Sequence, residues 1–121
     1  MKICISTQGD SLDAAVEARF GRCMKFVFVD TESGEHEIKD NPSQNAMGGA
    51  GIQAAQFVAD SGAKAVLTGN VGPNAFETLT AANISICTGV SGTISEVVEK
   101  FKNGEYKATA GPSVDSHFGM A

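Results

Sequence analysis

An α/β fold on a five-stranded mixed sheet is what this sequence predicts, and three observations carry it. Short β-rich runs recur along the chain: MKICIS, KFVFVD, KAVLT and ISIC. Helical stretches with their own start and stop signals separate the later runs. A polar turn, Thr31 to Gly34, folds the second run back onto a polar third strand, Glu35 to Lys39, as a hairpin.

Each element has a local reason. Met1 to Ser6 forms the first strand. Residues 7–24 remain open: SLDAAVEARF reads either as a short helix capped by Ser11 or as a long loop ending at Phe20-Gly21. Lys25 to Asp30 is almost wholly β-branched or aromatic, which predicts the second strand. Asn41-Pro42 breaks the chain, and a helix follows near 50–61 with Gly62 as its stop. Lys64 to Thr68 is the fourth strand. Pro73 suits a first helical position, and that helix runs to about Ala82 before Asn83 ends it. Ile84 to Cys87 is the fifth strand. Thr93-Ile94-Ser95-Glu96 is a capping-box pattern, and Ile94, Val97, Val98 and Phe101 then form one apolar stripe up to Asn103-Gly104. Residues 105–121 read as a loosely held tail.

Connectivity fixes the sheet. The hairpin reverses strand 2 against strand 3, and the helices supply crossovers to strands 4 and 5. The simplest order is 3-2-1-4-5 with strand 2 antiparallel. This brings STQGDS, FGRCMK, NAMGGAG, TGNVGP and CTGVSG to one edge, the carboxyl-end edge where open α/β sheets bind ligands.

The glycines concentrate there. Gly48, Gly49 and Gly51 directly precede or open a helix, and Gly72 precedes another. Bare helix N-termini favour anions. Tight turns alone also explain such glycines. Arg19, Arg22 and Lys25 crowd into EARFGRCMK, and Arg19 and Arg22 are the chain's only arginines. They serve either as solvated surface charge or as counter-charge for an anionic ligand. Neighbouring cations lower a thiol pKa, so Cys23 is a candidate metal ligand, with loop packing as its other role. His117 is a second candidate from the tail. Cys4 and Cys87 read as buried apolar side chains.

Bulk properties narrow the classes. At 121 residues the chain is one domain, and its formal net charge of −5 argues against nucleic acid or an anionic membrane as partner. No apolar run approaches a membrane span, and MKICIS turns polar too soon for a signal peptide. Three widely spaced cysteines give no disulfide framework, so a cytoplasmic protein with free thiols is expected. The chain lacks a P-loop, G-x-G-x-x-G, G-x-S-x-G or an H-x-x-x-H pair.

FGRCMKF, NAMGGAGIQAAQFV, GNVGPNAFETL and SGTISEVVEKFKNGE, in this order and spacing, resemble the dinitrogenase iron–molybdenum cofactor domain family. Its members include NifX-like carriers, NifB C-terminal domains and small orange-protein-like forms. The resemblance covers roughly residues 1–107 as one domain and leaves 108–121 as a flexible tail. It implies a ribonuclease H-like three-layer fold. It also implies a non-catalytic protein, a monomer or weak dimer, that binds or carries an anionic metal–sulfur cluster. That cluster is of the molybdenum–copper–sulfide or iron–molybdenum–sulfur type, and an acceptor or regulatory protein is the implied partner. Carried over by motif, Arg22 and Cys23, the three loop glycines, Asn70 and Gly72 become its site residues. Where many members carry His before FGR, this chain has Arg19, and it has only His117 where others have a His-rich tail. Two other readings stay open: an enzyme or sensor for a small phosphorylated or otherwise anionic metabolite at the same edge, and a regulatory module with no ligand.

Overall fold

The structure is a computed structural model that describes residues 1–43, 45–109 and 111. Five strands form one sheet: β1 (Lys2–Thr7), β2 (Lys25–Asp30), β3 (His36–Asp40), β4 (Ala65–Leu67) and β5 (Ser85–Cys87). Three helices accompany them: α1 (Ala50–Asp60), α2 (Pro73–Ala81) and α3 (Ile94–Lys102). The sheet order is β3-β2-β1-β4-β5. β2 is antiparallel to β1 and β3, while β4 is parallel to β1 and β5.

Side chains alternate across a strand, so each strand feeds both faces. Cys4, Phe26, Phe28, Val66 and Ile86 face α1 and α2. Ile3, Ile5, Val27, Val29, Ala65, Leu67 and Cys87 face α3. The result is three layers, with helices on both faces of the sheet. α1 presents Ala50, Gly51, Ala54, Ala55 and Val58 to the core, small side chains that bring its backbone close to the sheet. The space beside that helix is filled by aromatics: Phe26 lies 5.3 Å from Phe20 and 6.1 Å from Phe57 between ring centroids.

Helix boundaries follow the local signals. Thr93 and Glu96 form the capping box of α3, Pro73 occupies the first turn of α2, and Asn83 adopts a left-handed φ of 62° after α2. Strand 3 lies one residue later than the sequence expectation, and strands 4 and 5 are three residues each.

Residues 8–24 resolve as a long loop and not a helix. The reason is where their backbone donors go. The Val16 N–H donates to Gly92 O at 2.9 Å, Glu17 N–H to Ser6 O at 2.8 Å and Phe20 N–H to Asn70 O at 3.4 Å. Long-range partners, with Leu12 and Val16 packed on the α3 face, outweigh the helical propensity of DAAVEA. At the other end of the chain, Thr109 N–H donates to Ile86 O on the outer side of β5, and its hydroxyl lies 2.8 Å from that of Thr88. Among the described residues no helix is long and apolar enough to cross a membrane.

Candidate functional site

Strand register builds the rim. Thr7 of β1 lies opposite Lys25 of β2, which lies opposite Asp40 of β3. Ile5 pairs with Leu67, and Leu67 with Cys87. The carboxyl ends of β1, β3, β4 and β5 and the start of β2 therefore share one edge, as the topology predicts. The connections there are 8–24, 41–49, 68–72 and 88–93; the STQGDS and FGRCMK motifs are the two ends of the first.

Loop 8–24 is the hub to which the others are tied. Asn70 N–H donates to Ala18 O at 2.7 Å, forming a bridge with Arg19. Ser6 Oγ donates to Glu17 O at 2.7 Å and lies 2.7 Å from Thr68 Oγ1. Asn41 Nδ2 donates to Gly21 O and Cys23 O at 3.2 and 2.8 Å, and Ser43 Oγ donates to Gly21 O at 3.2 Å. The buried polar residues Ser6, Thr7, Asn41, Ser43 and Thr68 all lie at or directly beneath this rim. Sequence reasoning missed them. Asn41-Pro42 registers only as a breaker, and isolated Ser and Thr carry no motif.

The glycines differ in role. Gly49 is the N-cap of α1 with φ 71°, a left-handed conformation that disfavours side chains, and as a glycine it supplies no side-chain cap. Gly48 is exposed with open space around it. Gly51 is buried in the first turn of α1, so its role is close packing. Gly72 is buried, has extended backbone and precedes Pro73 as the N-cap of α2. A glycine not singled out from sequence, Gly69, is demanded by contact: a Cβ there would sit 2.6 Å from Ala18 Cα.

Two of the three cations meet carboxylates. Arg19 Nε donates to Glu17 Oε1 at 3.0 Å. Lys25 lies between Asp40 and Asp10, the latter at 3.3 Å, and hydrogen bonds to Asp40 and then Asp10 raise its pKa. Arg22 is partly buried. The excess positive charge expected at EARFGRCMK is thus offset by Asp10, Glu17 and Asp40.

Cys23 lies in the core beneath the loop. Its side chain is fully buried, its thiol donates to Phe20 O at 3.3 Å, and Asn41 Nδ2 stands 3.7 Å from its sulfur. Burial pushes the thiol up to about 12, overcoming the lowering from hydrogen bonds of Thr7 and Asn41. The lowering anticipated from Arg22 does not operate, because the thiol points into the core. No group of three or more His, Cys, Asp or Glu is placed to hold a metal ion among the described residues. His117 lies outside the described residues.

The sequence profile of the dinitrogenase iron–molybdenum cofactor family matches residues 1–104. The chain belongs to that family. Its fold is similar to the apo form of the orange protein from Desulfovibrio gigas, at TM-score 0.90 and 41% identity over 93% of this chain and 96% of that one. A candidate NifB protein from Thermotoga gives a TM-score of 0.77 at 34% identity, over 88% of this chain and 91% of that one. An uncharacterised protein of Methanocaldococcus jannaschii is 32% identical over 108 residues, 87% of this chain and 88% of that protein.

Within this family frame, the described rim brings the open backbone at Gly48 together with the carboxylate-paired Arg19 and Lys25, and burial raises the thiol pKa of both Cys23 and Cys87.

Proposed function

We propose that this protein binds an anionic metal–sulfur cluster at the rim and carries it without catalysing a reaction of its own. The observation that carries the reading is the start of α1. A left-handed Gly49 and an exposed Gly48 open onto the rim, and the N-cap residue itself, a glycine, supplies no capping side chain. A bulky anion can approach that backbone closely. Family membership and the likeness to an orange protein described in its apo form support a cluster as the ligand. A molybdenum–copper–sulfide or iron–molybdenum–sulfur cluster suits the site.

In this reading residues 1–107 form the binding unit, in a cytoplasmic monomer or weak dimer that passes the cluster to an acceptor protein. Arg19, Arg22, Gly48, Gly49, Asn70 and Gly72 line or shape the site. Gly51 lets α1 sit against the sheet. Cys23 acts as a packing residue under the loop.

The test is anaerobic reconstitution. Protein incubated with tetrathiomolybdate and copper, or with an iron–molybdenum–sulfur cluster, is desalted and its visible spectrum recorded. A stoichiometric chromophore that stays with the protein is expected. Colourless protein with both clusters overturns the proposal.

A further inference from the structure

Met24 and Met47 bring a different chemistry to the rim. Four large apolar side chains are exposed among the described residues: Met1, Met24, Met47 and Ile52. Met1 lies beside the start of β1, at the opposite edge of the sheet. The other three lie on rim loops or in the first turn of α1. Met47 is 98% exposed and Met24 46%. A lone exposed apolar side chain is ordinary. Two thioethers on two loops of one proposed binding edge are a chemical feature of that edge.

Their backbones are anchored while their side chains face water. Met24 N–H donates to Gln8 Oε1 at 2.6 Å, and its carbonyl accepts from Asn41 N–H at 2.9 Å. Ala46 N–H donates to Ser43 O at 3.0 Å, turning the chain that presents Met47, and Ser43 is itself tied to Gly21. The two methionine loops are therefore joined to each other through Asn41 and Ser43.

Charge alone gives this rim little selectivity. Glu17, Asp10 and Asp40 offset Arg19 and Lys25, and an amide N–H donates to a phosphate oxygen as readily as to sulfide. What separates a metal sulfide from an oxyanion is softness. Thioethers are polarisable and favour copper(I) and sulfur-rich surfaces over hard, strongly hydrated oxygen.

We infer that Met24 and Met47 are the specificity-determining residues of the rim, contacting a sulfur-rich, copper(I)-containing cluster through Sδ and so distinguishing it from hard oxyanions. This rests on the cluster-binding reading of the same site.

The experiment uses the full chain labelled with methyl-¹³C methionine, its four signals assigned with Met24→Leu, Met47→Leu and Met120→Leu. One arm receives tetrathiomolybdate with copper(I) under anaerobic conditions, and the other inorganic phosphate. The Met24 and Met47 methyl signals move with the cluster and stay in place with phosphate, while Met1 moves with neither. The double leucine variant conserves side-chain volume. It melts as wild type does and holds the chromophore about tenfold more weakly. A retained chromophore with unmoved Met24 and Met47 signals overturns the inference alone, as does a double variant that binds as tightly as wild type. A wild-type protein that stays colourless overturns the cluster reading itself and this inference with it.

Discussion

Asn41 spans the gap between the third strand and Cys23: its Nδ2 donates to the Cys23 carbonyl at 2.8 Å and stands 3.7 Å from the Cys23 sulfur. The same side chain accepts from Ser43 N–H at 3.0 Å and from Ser43 Oγ at 2.8 Å. One buried amide thus fixes the entry to β2, the exit from β3 and the turn that leads to Gly48. The rim keeps its shape through this polar network together with buried apolar loop residues such as Phe20, Val71 and Val90.

Asn41→Ala leaves the Gly21 and Cys23 carbonyls without this donor. A loss of about 2–3 kcal/mol is expected, from the cost of buried unpaired polar groups. Urea unfolding measures it. Cluster retention falls in the same variant at denaturant-free conditions, because the two loops lose their common anchor.

Cys23 gives a pH signature. Its pKa is raised by burial from 9.0 to about 12, so the neutral thiol is favoured in the folded state. That contribution is fully present below pH 9 and is lost as pH climbs toward 12. At pH 10 the thiol has already cost about 1.4 kcal/mol relative to neutral pH. Cys23→Ala removes this slope, so the variant loses less stability than wild type between pH 8 and pH 10. Equal slopes in paired unfolding curves contradict the assignment. If Cys23 only packs beneath the loop, Cys23→Ser keeps the cluster chromophore; loss of the chromophore in a variant that still folds would make the thiol a ligand.

Much of the fold was legible because its signals are local. KFVFVD, the Thr93–Glu96 box and the Ile94–Phe101 stripe each lie within one element, and connectivity then dictates the sheet order. The hub loop was not legible, because Val16, Glu17 and Phe20 spend their backbone donors on Gly92, Ser6 and Asn70, all distant in sequence. The site was half legible for the same reason. Glycine and arginine positions could be read, but the carboxylates of Asp10 and Asp40 reach Lys25 only through sheet register. At Cys23 the sequence left a ligand role and loop packing both open, because only the fold shows that the flanking Arg22 and Met24 are more exposed while its own side chain points inward.

The glycines separate by substitution. Gly48→Ala is close to neutral, since open space surrounds it. Gly49→Ala costs about 1–2 kcal/mol, because a Cβ is strained at φ 71°. Gly69→Ala costs more than either, with its Cβ 2.6 Å from Ala18 Cα and backbone on both sides of the clash. Thermal melting of the three variants gives the ranking.

Charge substitutions act in opposite directions. Asp10→Asn removes a partner of Lys25 and raises affinity for the anionic cluster severalfold at low salt, an advantage that shrinks as salt screens it. Arg22→Glu lowers affinity about tenfold or more. Chromophore titration at two ionic strengths checks both.

The most direct test of the rim as the binding site is a backbone amide shift map on addition of copper and tetrathiomolybdate. The largest changes are predicted at residues 20–24, 47–53 and 69–72, with the opposite turn at 31–35 unmoved. Changes centred on that opposite turn, or on the outer groove between α1 and α2 lined by Gln56 and Glu77, would contradict the account.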